Sequence, residues 1–152
     1  MYLLTVLAII LSTIFMIQIS GQGMGMLSNF IDIPSLLALL IVTIPILISA
    51  NLLKDFNNAL KIVFGKENQQ NSVMIKKAIE AVELTRKIVL CASAFIVLVQ
   101  SIIILRQLDD PAALGPNIAI AVLSLLYGIT VNLLLLPVAS KLKVKVIEFM
   151  QE

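Results

Sequence analysis

The sequence predicts an all-α membrane protein with four transmembrane helices and a short cytoplasmic helical hairpin between helices two and three. Three observations predict this fold. The chain is 60% hydrophobic and only 13% charged, whereas a soluble domain carries about 25% charged residues. Its mean hydropathy is +1.07. Its apolar residues are gathered into four runs, each close to the roughly 20 residues that a helix needs to cross a bilayer.

The four runs define a single membrane domain over residues 1–152. The predicted spans are 2–19, 34–53, 88–105 and 117–136, with the hairpin at 54–87 and a cytoplasmic tail at 137–152. The first run lacks the basic start and the cleavage site of a signal peptide, so we interpret it as a retained helix. Pro34 suits the first turn of the second span, where a missing N–H breaks no helical hydrogen bond. Pro137 is predicted to end the fourth span.

The basic residues predict the orientation of the chain. The hairpin region 54–87 holds seven Lys and Arg residues, whereas the loop 21–33 holds none. By the positive-inside rule, the hairpin and both termini lie in the cytoplasm. Within the hairpin, apolar residues recur at helical spacing on each side of the predicted turn "GKENQQNS". They are Phe56, Leu60 and Val63 before the turn, and Ile75, Ile79 and Val82 after it.

The composition excludes several kinds of chemistry. The chain has no histidine, so we expect no metal site, no cofactor and no enzymatic activity. The single cysteine, Cys91, lies in an apolar run and is predicted to be a packing thiol. The net charge of +2 sits beside the apolar runs and forms no nucleic-acid patch. No Asp, Glu, Lys or Arg lies inside a predicted span, so an ion that crosses here needs a charge carrier from a partner.

Polar and small residues form a stripe along the fourth span. Asn117, Ala121, Ser124, Gly128 and Asn132 are spaced by three or four residues and share one helix face. A weaker stripe follows the third span. Two interpretations are open: the stripes pack helix against helix, with Gly128 allowing a close approach, or they line a central pore. The candidate pore residues are Ser93, Val97, Gln100, Ser101, Ser124, Thr130 and Asn132.

Two blocks of the sequence resemble the MotA-type subunit of the MotA/TolQ/ExbB channel family. "FIDIPSLLALLIVTIPILISANLLKDFNNALKIV" is similar to its first outer loop and second helix, and "LDDPAALGPNIAIAVLSLLYGITVNLLLLPVASKLK" to its last transmembrane unit. The resemblance implies a homo-pentamer in the bacterial inner membrane, with the third and fourth helices lining the centre. It also implies a single-span partner of the MotB or ExbD type, whose aspartate carries the ion. The implied function is the ring subunit of an ion-driven motor or energiser, such as a flagellar stator.

The third span departs from the family pattern. Leu90 stands where the family has proline, Ile96 and Val97 replace a Gly-Thr pair, and Gln100 replaces a later glycine. The cytoplasmic region is limited to the hairpin, whereas flagellar stators carry a much larger domain there. The alternative function is therefore a scaffold ring that keeps the fold and does not conduct. The sequence leaves open whether the ion is a proton or sodium, what the motor acts on, and whether a second ring-forming subunit takes part.

Overall fold

The computed structural model describes residues 2–21, 30–65, 72–106, 108–109 and 111–151, and these residues form an all-α structure. The predicted fold class is confirmed to that extent. Most of the predicted turn at 65–72 lies outside the described residues. The helices are α1 (Tyr2–Ile19), α2 (Ile33–Ser49), α3 (Leu53–Val63), α4 (Ser72–Arg106) and α5 (Pro111–Gln151).

The helices α4 and α5 run antiparallel and make the largest contact in the molecule. We call the end at Arg106 and Pro111 the turn end, and the end at Ser72 and Gln151 the open end. At about 1.5 Å per residue, α4 and α5 are about 52 and 61 Å long, against about 30 Å for the hydrocarbon core of a bilayer. Both are long and apolar enough to cross a membrane. They contain the third and fourth predicted spans.

The first two predicted spans have weaker structural support. The apolar part of α1 is shorter than the two long helices, and α2 reaches a spanning length only together with α3, across a bend of 101°. The structure therefore supports two of the four predicted spans. The spans at α1 and α2 stay predictions.

The chain changes direction sharply at Asn51, between α2 and α3. Asn51 has φ of 55°, a left-handed conformation that asparagine tolerates better than most residues. The N–H of Asn51 donates to the carbonyl of Ile48 at 3.0 Å, and that of Leu52 donates to Leu47 at 3.1 Å. This pair of bonds is the Schellman motif that ends a helix. The second span was predicted to reach residue 53, whereas α2 ends at Ser49 and the chain bends by 101° before α3.

The helix α5 continues through Pro137 to Gln151, so the prediction that Pro137 ends the fourth helix is wrong. A proline inside a helix costs about 3 kcal/mol. Val138 and Leu142, which follow it, are 1% and 0% exposed, and full burial of one such side chain contributes about 1.5–3 kcal/mol. The packing of this segment therefore outweighs the lost hydrogen bond. By contrast, Pro34 lies in the first turn of α2, as predicted.

Two buried clusters hold the helices together. The larger lies at the open end and joins α3 to α4 and α5, with Ile62, Ile75 and Leu142 at 0% exposure. The smaller joins α2 to α4 and α5 around Leu39. The Nζ of Lys145 on α5 donates to the carbonyl of Ile62 at 3.2 Å, which places a cation at the last turn of α3, where the helix dipole favours it.

Candidate functional site

The helices α4 and α5 come into close contact at Ser93 and Gly128. A Cβ atom added to Gly128 would lie 2.3 Å from Oγ and 2.4 Å from Cβ of Ser93. Ser93 is 0% exposed, and its hydroxyl donates to the carbonyl of Leu90 at 2.9 Å. Because this distance leaves no room for any side chain at position 128, the centre of the polar stripe is a helix contact and not an opening.

Arg86 and Asn132 form a reciprocal pair closer to the open end. The Nε of Arg86 donates to Oδ1 of Asn132 at 2.9 Å, and Nδ2 of Asn132 donates to the carbonyl of Arg86 at 3.5 Å. Asn132 is 9% exposed. The oxygen and the nitrogen of the Asn132 amide therefore both bind Arg86, a half-buried cation of α4, and hold it against α5.

Towards the turn end, Gln100 of α4 lies beside Ser124 of α5 and at the edge of a cavity between the two helices. The hydroxyl of Ser124 donates to the carbonyl of Ile120 at 3.1 Å and lies 3.5 Å from Oε1 of Gln100. A cavity of about 160 Å³ begins here, and Gln100 and Asn117 lie in its wall with Ile103, Ile104 and Ile120. This volume has room for several water molecules, which take about 30 Å³ each in the liquid. The amide oxygens could ligate a hydrated cation there.

An ion pair joins α4 and α5 beyond Arg86, towards the open end. Lys143 donates to the carboxylate of Glu83, with the two side chains 57% and 37% exposed. The hydrogen bond from Lys143, then its charge, lower the pKa of Glu83, and Lys87 and Arg86 lower it further. Because both side chains are more than a third exposed, we expect the pair to contribute less than about 1 kcal/mol.

The seven candidate pore residues do not share one surface. Ser93 and Ser124 are 0% exposed and Asn132 is 9% exposed, so helix packing is the interpretation that fits these three and Gly128. The other four are partly exposed, and for them the lining of a pore stays a prediction. They are Val97, Gln100, Ser101 and Thr130.

Thr130 lies on a different side of α5 from the polar stripe. Residues two apart in a helix project about 200° apart, so Thr130 and Asn132 lie on different faces of α5, and the assignment of both to a pore stays a prediction. Ser101 donates its hydroxyl to the carbonyl of Val97 at 2.8 Å. Cys91 is exposed, so the prediction that it is a buried packing thiol is wrong.

Tyr127 is the residue whose role the sequence analysis missed. Its hydroxyl accepts the N–H of Asp32 at 2.6 Å and donates to the carbonyl of Phe30 at 2.7 Å. Asp32 is the N-cap of α2, and its Oδ2 accepts the N–H of Ser35 at 2.9 Å. The Asp-x-x-Ser spacing signals the cap in the sequence. No local pattern pairs it with a tyrosine 95 residues further along the chain.

Comparison with known proteins gives two local similarities. Forty residues, or 26% of this chain, are 55% identical to Motility protein A of Aquifex aeolicus (strain VF5), of which they cover 16%. A stretch of 49 residues, or 32% of the chain, is 47% identical to the uncharacterized protein YtxD of Bacillus subtilis (strain 168), of which it covers 18%. Each match thus spans less than a fifth of the relative.

No protein-family model matches the chain, and no solved structure matches it. The similarity to Motility protein A covers about a quarter of the chain, and it agrees with the resemblance to MotA-type subunits at that local level.

Proposed function

We propose that this chain is the ring-forming subunit of an ion-driven motor or energiser complex of the MotA/TolQ/ExbB type. In this proposal, five copies surround a single-span partner of the MotB or ExbD type, whose membrane aspartate carries a proton or a sodium ion. The observation that carries the proposal is the 55% identity to Motility protein A over 40 residues. The complex lies in the inner membrane of a bacterium, with both ends of each chain in the cytoplasm.

The packing of α4 against α5 supports a role in assembly. The contacts of Ser93 with Gly128 and of Arg86 with Asn132 tie the two helices into one unit. The outward face of α5 is apolar and suits lipid or a neighbouring helix. Its exposed residues at helical spacing are Ile118, Val122, Leu125, Ile129 and Leu133.

The distribution of charge supports a partner that supplies the ion-carrying group. From 88 to 105 in α4 and from 111 to 140 in α5, the sequence contains no Asp or Glu. A cation that crosses hydrocarbon needs a carboxylate or a set of oxygens on its path. Gln100 and Asn117 provide amide oxygens in the wall of the 160 Å³ cavity, and the proposal places the partner's aspartate beside them.

The test is coexpression with the single-span protein encoded beside this chain, followed by purification and cryo-electron microscopy. We expect a five-fold ring around two partner helices, with an aspartate facing Gln100. A protein that stays monomeric, or that does not copurify with the partner, would contradict the proposal.

Ion flux into proteoliposomes tests conduction in the same complex. We expect Gln100→Leu to reduce the flux, because it removes the amide from the cavity wall. The matched control is Leu98→Met on the exposed face of α4, where Leu98 is 65% exposed. This control keeps the volume and polarity and should leave the flux unchanged.

A non-conducting scaffold ring is the second candidate, and Val97 favours it. The family has a threonine there, and the half-buried valine offers no oxygen to an ion. The nearby Ser101 already uses its hydroxyl hydrogen on the carbonyl of Val97. A five-fold ring that binds the partner but shows no proton or sodium flux would establish this alternative, whereas flux would exclude it.

A further inference from the structure

A cavity lies near the open end, where the last turn of α3 meets α5. It has a volume of about 330 Å³, within the roughly 300–1,000 Å³ of typical ligand sites. It is lined by Val63, the last residue of α3, and by one face of α5. The residues of α5 in its wall include Pro137, Lys141, Val144, Lys145 and Glu148. The wall therefore combines apolar and charged side chains.

The character of the wall changes along α5. Counted from the turn end, Pro137 comes first, then Lys141 and Lys145 with Val144 between them, and Glu148 last. Residues three or four apart share one face of a helix. Lys145 precedes Glu148 by about 4.5 Å along the helix axis. The cavity therefore offers an apolar end, a cationic middle and an anionic end, in that order.

The two lysines of the wall are directed towards its apolar end. The Nζ of Lys145 donates to the carbonyl oxygen of Ile62 at 3.2 Å, which fixes this half-buried side chain against α3. Lys141, one turn earlier, is exposed. Helical side chains tilt towards the helix N-terminus, and the N-terminus of α5 is at the turn end. Both lysines therefore lean towards the apolar run of α5.

The length of this run places the cavity at the headgroup layer of a bilayer. From 111 to 140 the sequence of α5 has no charged residue, and this run is about 45 Å long at about 1.5 Å per residue. A bilayer with its headgroup layers is about 40–45 Å thick. Leu133 and Leu126, four and eleven residues before Pro137, share its helix face and are 41% and 39% exposed. An apolar surface therefore leads from the cavity into the hydrocarbon layer.

We propose that this cavity binds a phospholipid whose headgroup carries both a phosphate and a primary amine, as in phosphatidylethanolamine. The ammonium groups of Lys141 and Lys145 contact the phosphate through charge-assisted hydrogen bonds. Glu148 accepts hydrogen bonds from the lipid ammonium, which two carbon atoms join to the phosphate. The acyl chains lie along Pro137 and Leu133 of α5.

The order of the charges favours this lipid over a purely anionic one. Phosphatidylglycerol has the same phosphate but no cation, so its headgroup would extend towards Glu148 and offer that carboxylate no opposite charge. The whole site belongs to one chain, so the proposal does not depend on ring assembly or on a protein partner.

The experiment is native mass spectrometry of the full chain, purified in detergent and freed of bound lipid. Three lipids with identical acyl chains are added in turn: phosphatidylethanolamine, phosphatidylcholine and phosphatidylglycerol. Phosphatidylcholine is the matched control, because it keeps the phosphate and the positive charge but its quaternary ammonium has no N–H to donate. We expect phosphatidylethanolamine to bind about fivefold more tightly than either of the others, which equals about 1 kcal/mol, the upper end for an exposed ion pair. Equal binding of the three lipids, or tighter binding of phosphatidylglycerol, would overturn the proposal.

A soluble competitor separates a membrane lipid from a free phosphate compound. Glycerophosphoethanolamine has the same headgroup without acyl chains. Because the apolar surface contributes to binding, we expect an equal concentration of this compound to leave the binding of phosphatidylethanolamine unchanged. Displacement of the lipid would show that the cavity takes the headgroup alone and would overturn the assignment to a lipid.

Two variants test the charged residues, and both change exposed side chains that the fold does not bury. Lys141→Gln should weaken the binding of phosphatidylethanolamine about fivefold, since one basic residue near a membrane surface contributes about 1 kcal/mol. The matched control is Lys76→Gln on the exposed side of α4, outside the cavity, which should leave binding unchanged.

Glu148→Gln leaves the two cations in the wall and removes the carboxylate. We expect phosphatidylglycerol then to bind more tightly than phosphatidylethanolamine, the reverse of the order in the wild type. Unchanged binding in Lys141→Gln would contradict the phosphate contact, and an unchanged lipid preference in Glu148→Gln would contradict the recognition of the amine.

Discussion

Replacing Gly128 by alanine is the most direct test of the close contact between α4 and α5. The new Cβ would lie 2.4 Å from Cβ of Ser93, whereas ordinary contacts begin at 3.4 Å. The helices must therefore separate by about 1 Å, or Ser93 must leave its position. The Ser93 side chain has no free space to enter, since it is 0% exposed. Overpacking of this kind costs typically about 1–3 kcal/mol.

The assay is thermal unfolding in detergent, followed by far-ultraviolet circular dichroism at one heating rate. For a chain of this size, each kcal/mol shifts the Tm by about 2–4 °C, so Gly128→Ala should lower the Tm by about 2–12 °C. The matched control is Gly115→Ala in the same helix, because a Cβ there meets nothing within 4 Å. The control should leave the Tm unchanged or raise it, since alanine favours a helix by up to about 1 kcal/mol over glycine.

A second substitution checks the cause of the loss. Ser93→Gly removes the atoms that the new Cβ would strike, and the next atom, the carbonyl oxygen of Val89, is at an ordinary 3.5 Å. The double variant should therefore be destabilised by less than the sum of the two single changes. Equal effects of Gly128→Ala and Gly115→Ala, or strict additivity with Ser93→Gly, would refute the close contact.

Three further outcomes test the remaining polar contacts. Asn132→Ala should lower the free energy of unfolding by about 1.5–3 kcal/mol, because Arg86 loses a charge-assisted hydrogen bond. A loss below about 0.5 kcal/mol, which is the size of a typical surface substitution, would contradict the pairing of Arg86 with Asn132. Tyr127→Phe should cost about 1–3 kcal/mol, since two backbone groups lose their partner, and hydrogen exchange at the start of α2 should become faster. Lys143 lowers the pKa of Glu83 in the folded chain. The pair therefore stabilises the fold above the unfolded-state pKa of Glu, and this stabilisation is lost as the pH falls through the folded-state pKa. Melting curves of wild type and Glu83→Gln should therefore differ by less than about 1 kcal/mol at pH 7 and converge at acid pH.

Periodicity located the helices well but not their ends. The starts of α1, α2 and the second hairpin arm follow from apolar spacing and from the cap at Asp32. The second and fourth spans were predicted to end at residues 53 and 136, whereas helix α2 ends at Ser49 and helix α5 continues to Gln151. The deciding interactions differ in range, because the bonds that end α2 are local, whereas the packing that carries α5 onward involves distant residues of α3 and α4. The backbone bonds around Asn51 turn α2 away, and the burial of Val138 and Leu142 carries α5 through its proline.

Residue spacing in the sequence identified the polar face of the fourth span. The stripe of the fourth span is real, but spacing fixes only the face that a residue occupies and not what that face touches. In the structure, Ser93 of α4 contacts α5, and Ser124 and Asn132 of α5 contact α4. Spacing also separates Thr130, one of the candidate pore residues, from the stripe, because it lies two residues from Asn132.

The sequence by itself determined that this chain is helical and apolar, because hydrophobic residues at a period of 3.6 can be buried or solvated by lipid only as helices. It also determined where the charges lie relative to the apolar runs. Only the tertiary structure decided that α2 begins beside Tyr127 of α5, whose hydroxyl accepts the N–H of Asp32. The reason is physical: the depth of one helix against another depends on side-chain packing and hydrogen bonds between distant residues, and no local pattern encodes them.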